Sequence, residues 1–140
     1  MGDAAGATTV ADRDAGHPRA VVRTLVVDDH PLCREALSEV VAATPGFQVV
    51  GEAASGEAAL ELLERDGADL VLLDVRMPGL DGTATAAFVS DEHPETVVML
   101  VSAEGRAVPA DDASPGGIRA FRKECVTSVL LRSVMAPSRV

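Results

Sequence analysis

A three-layer α/β sandwich on a doubly wound, five-stranded parallel sheet is the fold class this sequence predicts, and three observations carry it. Short β-branched or apolar runs alternate with stretches of helical periodicity. Two of those runs, Leu70 to Leu73 and Thr96 to Val101 (TVVMLV), are apolar almost throughout, as expected of strands covered by helices on both faces. Right-handed crossovers between parallel strands then place helices on either side of one sheet. The chain has 140 residues, enough for one domain.

Residues 1–20 are small, polar and mixed in charge, and read as a disordered N-terminal tail without the apolar segment of a signal peptide. Val21 to Val27 is the first strand, ending at Asp28, Asp29, His30 and Pro31, the last suited to a helix's first turn. Leu32, Ala36, Leu37, Val40 and Val41 recur at helical spacing until Thr44-Pro45-Gly46 stops them. Phe47 to Val50 reads as the second strand, and Ser55 as the N-cap of a helix that carries Ala59, Leu60, Leu62 and Leu63 and ends near Gly67. The third strand, Leu70 to Leu73, is closed by Asp74. A turn over Gly79 to Gly82 leads to a third helix, Thr83 to Glu92, that contains Phe88, and Thr96 to Val101 is the fourth strand. Pro109, Pro115 and paired glycines in 104–117 argue against a full fourth helix there. Ile118 to Phe121 suits a short edge strand. Val126, Val129, Leu130 and Val134 mark a closing amphipathic helix, with a C-terminal tail over 137–140.

Composition narrows the function. Twenty-two acidic against twelve basic residues give a net charge of −10, so a nucleic-acid backbone or an anionic membrane is repelled by most of the surface. Direct nucleic-acid binding by this chain and membrane binding are not expected. The chain is 47% hydrophobic but only 2% aromatic, with Phe47, Phe88 and Phe121 alone, so the core is expected to consist of Val, Leu and Ala. Cys33 and Cys125 form no C-x-x-C pair and read as idle thiols in a reducing, cytoplasmic compartment.

In doubly wound sheets, ligands sit beyond the carboxyl ends of the strands. Asp28 and Asp29 follow strand one, Asp74 follows strand three, Ser102 follows strand four and Lys123 lies just after the edge strand. Three carboxylates in one crevice raise one another's pKa unless a cation joins them, and a hard divalent ion bound by oxygens, Mg²⁺ in a cell, is the economical partner. Carboxylates, Mg²⁺, a hydroxyl and an ammonium make a phosphoryl-transfer set in which a carboxylate can be the nucleophile. The bland alternative, strand-end aspartates that only cap helices and turns, explains any one of these residues better than all of them together.

The segments Val26-Val27-Asp28-Asp29-His30-Pro31, Leu72-Leu73-Asp74-Val75-Arg76-Met77-Pro78-Gly79-Leu80-Asp81-Gly82 and Val101-Ser102-Ala103, with Lys123, resemble the receiver domain of two-component response regulators over about residues 21–136. Helix one and the Gly46 to Glu57 region are most similar to regulators that carry a helix-turn-helix output domain. The resemblance implies a flavodoxin-like sheet of order 2-1-3-4-5. It implies Asp74 as phosphoacceptor, Asp29 as a direct Mg²⁺ ligand, Asp28 as an outer-sphere one, and the Arg76 backbone carbonyl as a further ligand, with Ser102 and Lys123 on the phosphoryl oxygens. The only chemistry implied is Mg²⁺-dependent self-phosphorylation from a phosphohistidine and autodephosphorylation, followed by a conformational change that signals.

Departures from the family are local. Members place an aromatic residue three positions before the lysine, where this chain has Ala120, and Phe121 lies two before. Ser102 to Lys123 spans 21 positions, one fewer than expected, and in a strand a one-residue shift turns a side chain to the other face. Glu124 stands in place of the common proline, which excludes a cis-proline there. His30 reads as an exposed helix-start histidine rather than a ligand. Arg76 and Glu104 flank the phosphorylation position, where pairing across its mouth would slow attack by water.

The expected partners are a sensor histidine kinase and either a downstream protein or an output domain not included in this chain, with a homodimer also open. The alternative is a phosphorylation-independent receiver-like protein-interaction module. A metal-dependent phosphatase would want a second carboxylate two residues after Asp74, where Arg76 stands.

Overall fold

The computed structural model describes residues 21–102 and 118–135. Its elements are β1 (Val22–Val27), α1 (Pro31–Ala42), β2 (Phe47–Ala53), α2 (Gly56–Asp66), β3 (Leu70–Asp74), α3 (Gly82–Glu92), β4 (Val97–Ser102), β5 (Arg119–Arg122), a 3-10 turn (Lys123–Cys125) and α4 (Ser128–Met135). The five strands form one sheet of order β2-β1-β3-β4-β5, all pairings parallel. The expected fold class and strand order are therefore observed. The tails and the segment 104–117 lie outside the described residues. Among the described residues no helix is long and apolar enough to cross a membrane.

Strand alternation divides the core into two halves. Leu25, Val27, Val71, Leu73, Val98 and Leu100 face α2 and α3, where they meet Ala59, Leu63, Ala86 and Val89. Val26, Leu70, Leu72, Met99 and Val101 face the other way, toward Leu37 and Val41 of α1 and Leu131 of α4. Each central strand is apolar at consecutive positions because each of its faces has a helix layer to cover it. Leu, Val and Met99 are the largest fully buried side chains, as an aromatic-poor composition requires. Phe88 of α3 stays half exposed at 50%.

Local chemistry sets the helix starts. Pro31 opens α1, the Ser55 hydroxyl accepts the Ala58 amide at 3.1 Å to cap α2, and the Asp81 carboxylate accepts the Ala84 amide at 3.0 Å to cap α3.

Three boundaries differ from expectation. β2 runs to Ala53, three residues past Val50. Gly51 ended the apolar pattern, but it continues the strand by pairing with Leu25 of β1, and α2 and β1 leave little room for a side chain there. A Cβ there would meet Leu25 Cδ1 at 3.3 Å and Leu62 Cδ1 at 3.5 Å. β5 is shifted by one residue, to Arg119–Arg122. The closing helix begins at Ser128, with the Thr127 hydroxyl accepting the Leu130 amide at 3.2 Å. Its inward stripe is Leu131 with Leu130, Val134 and Met135; Val126 is buried in the same cluster just before the helix, and Val129 is 71% exposed. Of the expected stripe, Val126, Leu130 and Val134 do pack on the core, and Val129 alone does not.

Candidate functional site

The site forms where β1 and β3 end side by side. Val27 pairs with Leu73 in parallel register, so Asp28 and Asp74 leave the same edge of the sheet in the same direction. Asp28, Asp29, His30 and Asp74 each place one ligand-type atom within 4.8 Å of the others. Asp28 is fully buried. Its amide continues the β2 pairing to the Ala53 carbonyl at 3.0 Å, and its Oδ1 accepts the His30 amide at 2.9 Å, a short Asx-type turn that folds the loop back over the strand end.

Lys123 enters this crevice from beyond β5, across the ends of β4 and β3. Its Nζ lies 2.7 Å from Asp28 Oδ2 and 3.8 Å from Asp74 Oδ1. The short spacing between Ser102 and Lys123 thus does not carry the amine away from the aspartates. The cost falls on the aromatic instead. Ala120 packs against the α2 and α3 side, while Phe121 packs on the α1 and α4 side with the Arg119 guanidinium 5.6 Å from its ring centre. The sheet face on which the family places its aromatic residue carries only a methyl group here.

Ser102 closes β4, is 7% exposed and pairs in register with Arg122, one step beyond the Asp74–Val101 pair. It therefore lies on the same rim as Asp74. Arg76 is exposed, and its backbone amide donates to the Asp74 carboxylate. Glu104 lies outside the described residues, and with it the expected pairing to Arg76. His30 is 66% exposed at its side chain, as read from sequence, yet its Nδ1 stands 3.2 Å from Asp29 Oδ1 and 3.5 Å from Asp28 Oδ1. Cys33 is partly buried and Cys125 exposed, both as free thiols.

The electrostatics are unbalanced. Burial, reinforced by the charge of Asp28, pushes the Asp74 carboxyl up to about 6, against the smaller lowering effect of Lys123. Burial alone would lower the Lys123 ammonium, but its hydrogen bond to Asp28 and the charges of Asp74 and Asp28 outweigh that and raise it above its ordinary 10.5. Three carboxylates against one ammonium leave two negative charges in a closed space. Asp28 Oδ2 is held by the Lys123 ammonium at 2.7 Å, whereas Asp29 Oδ1 is buried without a hydrogen-bond partner. Three carboxylates with a surplus of two charges and one unsatisfied buried oxygen, on Asp29, fit a hard divalent cation.

Sequence reasoning missed a second layer behind this site. Arg34 of α1 donates to the Asp28 carbonyl at 2.7 Å and to Glu52 Oε1 of β2 at 3.3 Å, and Ser38 donates to Glu52 Oε2 at 3.0 Å. The i, i+4 spacing of Arg34 and Ser38 was the available signal, but nothing in the sequence named their partner on β2. Gly82 was read only as a turn residue. A Cβ there would overlap the Asp74 carbonyl oxygen, so the start of α3 packs directly on the backbone that carries Asp74.

Comparison with known proteins agrees with this geometry. The family described as response regulator receiver domain matches residues 24–133. The probable transcriptional regulatory protein NarL of Mycobacterium tuberculosis is 41% identical over 129 residues, covering 85% of this chain and 60% of that protein. The chain thus spans less than two thirds of the length of this relative. The solved signal receiver domain of the putative response regulator NarL from the same species superposes with a TM-score of 0.71 at 36% identity, covering 84% of this chain and 99% of the other. A CheX–CheY complex from Borrelia burgdorferi, containing BeF3 and Mg²⁺, gives a TM-score of 0.71 at 25% identity over 84% of this chain and 89% of the other. With the aspartate crevice, the reaching lysine and these matches together, the chain belongs to the response regulator receiver domain family of two-component systems.

Proposed function

We propose that the domain takes a phosphoryl group from the phosphohistidine of a sensor histidine kinase onto Asp74 and passes the signal on through protein contacts. The observation that carries this is the convergence of Asp28, Asp29 and Asp74 within 4.8 Å, with Lys123 Nζ touching both Asp28 and Asp74. Asp29, Asp74 and the Arg76 carbonyl would hold Mg²⁺ directly, with Asp28 acting through water and through Lys123. When bound, the ion supplies positive charge to the phosphoryl oxygens.

Asp74 is the nucleophile. One carboxylate oxygen attacks phosphorus, the bond from phosphorus to the imidazole nitrogen breaks, and its electron pair leaves with the imidazole, which takes up a proton. The Lys123 ammonium neutralises a phosphoryl oxygen and the Ser102 hydroxyl donates to another. Burial keeps Asp74 desolvated, so the attacking oxygen sheds little water. Hydrolysis reverses the charge: a water oxygen attacks phosphorus, the bond to the Asp74 oxygen breaks, and the carboxylate is restored with release of inorganic phosphate. The acyl phosphate carries about −1.5 to −2 charges, enough to bias contacts near Ser102 and Lys123.

Family members work with histidine kinases and output domains. An output domain joined to this receiver, or a separate downstream protein, would read the change, in the cytoplasm and with or without a homodimer. Acetyl phosphate with Mg²⁺ tests the core of the proposal. An intact-mass gain of one phosphoryl group, lost in Asp74→Asn, supports it. An unmodified wild-type protein favours the phosphorylation-independent module.

A further inference from the structure

We infer that Arg34, braced by Glu52 and Ser38, is a positioning residue that sets the divalent-cation affinity of the site from outside it. The inference rests on the proposal that Asp28 and Asp29 serve the metal.

The loop from Asp28 to His30 carries two of the carboxylates, and three of the hydrogen bonds that hold it bear on the Asp28–Asp29 peptide. Two belong to the loop's own surroundings: the Asp28 amide on the Ala53 carbonyl at 3.0 Å and the His30 amide on Asp28 Oδ1 at 2.9 Å. The third comes from the Arg34 guanidinium, whose Nη1 donates to the Asp28 carbonyl at 2.7 Å. That carbonyl belongs to the peptide linking Asp28 to Asp29, so this one contact fixes the rotation of the peptide and hence the direction in which Asp29 leaves the chain. The guanidinium is itself oriented. Its Nε donates to Glu52 Oε1 at 3.3 Å, and the other oxygen of Glu52 accepts from Ser38 at 3.0 Å, one turn along α1.

The brace is partly shielded, with Arg34 22% and Glu52 44% exposed at the side chain. Arginine suits the task because its planar guanidinium holds Nε and Nη1 in fixed directions, one toward each acceptor, whereas a lysine ammonium is a single point of rotatable donors. Asp29 Oδ1, buried without a hydrogen-bond partner, is the group whose placement depends on this brace. Partners behind metal ligands typically change affinity by 10–100-fold when removed.

Mg²⁺ titration by calorimetry on the wild-type chain, Arg34→Ala, Arg34→Lys and Glu52→Gln tests this. The expected result is a dissociation constant raised about tenfold or more in Arg34→Ala, less in Arg34→Lys, and about 2–3-fold in Glu52→Gln. Phosphorylation by acetyl phosphate should return toward the wild-type rate in each variant at saturating Mg²⁺. Thr44→Val serves as the control for general loosening. It removes the hydroxyl contact of Thr44 with Ser128 (2.7 Å), which ties the end of α1 to α4, and should lower the melting temperature without changing Mg²⁺ affinity. Unchanged Mg²⁺ affinity in Arg34→Ala, or equal weakening in Thr44→Val, overturns the inference while leaving the proposed function intact. A wild-type chain that binds no Mg²⁺ overturns both.

Discussion

Replacing Asp74 by asparagine should make the metal-free protein more stable at pH 8. In the fold the carboxyl titrates near 6 rather than at its ordinary 3.8, because burial and the neighbouring Asp28 disfavour its charge. A native pKa above the unfolded one means that ionisation costs folding free energy. The penalty is fully present above about pH 6 and disappears below the unfolded value. The rise from 3.8 to about 6 corresponds to about 3 kcal/mol at pH 8, and linkage leaves about 1 kcal/mol of it at pH 4.5. For a domain of this size that is a rise of about 10–15 °C in melting temperature for Asp74→Asn at pH 8. The assay is thermal or urea unfolding of both proteins from pH 4.5 to 8 in chelator, repeated with excess Mg²⁺. Added Mg²⁺ should stabilise the wild type more than the variant and so narrow the gap. Equal stability of the two proteins at pH 8 without metal, or a gap that stays the same down to pH 4.5, would refute the claim that the buried aspartates are electrostatically frustrated.

Other perturbations have equally definite outcomes. Lys123→Ala removes the ammonium beside buried Asp28 and should cost about 3–5 kcal/mol in urea unfolding, while abolishing phosphorylation by acetyl phosphate. Gly82→Ala drives a methyl group into the Asp74 carbonyl. Either α3 or Asp74 must move, so the variant should lose several degrees in melting temperature and most of its phosphorylation rate together. Leu72→Ala empties a fully buried position on the central strand and should cost about 2–5 kcal/mol, measurable by urea unfolding. Stripping divalent ions with EDTA should stop acetyl phosphate labelling of the wild-type chain, and Mg²⁺ should restore it.

What the sequence made legible followed from where chemistry and periodicity coincide. Asp28, Asp29, Asp74, Ser102 and Lys123 all stand at strand ends, and strand ends are visible because apolar runs stop there. The parallel sheet was legible for the same reason, since Leu70 to Leu73 is apolar on both faces. Contacts between elements distant in sequence were not. Arg34 and Glu52 are 18 residues apart, and neither sits in an apolar pattern, so only the packing of α1 beside β2 reveals their pairing. Of the stripe of α4, only Val129 was misplaced: eight residues give barely two turns, and with Leu131 at the centre of the inward face Val129 turns to the surface. The Phe121 question could be posed from the spacing but not answered, because whether lysine or aromatic yields is decided by competition. An ion pair to a fully buried aspartate outweighed a partly exposed ring.

The lysine that completes the crevice arrives last along the chain, yet it reaches across two strand ends to an aspartate that follows the first strand. A nascent polypeptide that has folded its first four strands holds all three carboxylates and still lacks their countercharge. A sheet whose fifth strand is undocked therefore keeps its three carboxylates without the Lys123 ammonium. The same wiring makes the edge strand a fuse: fraying at the sheet's far border, well away from the aspartates, would disarm them.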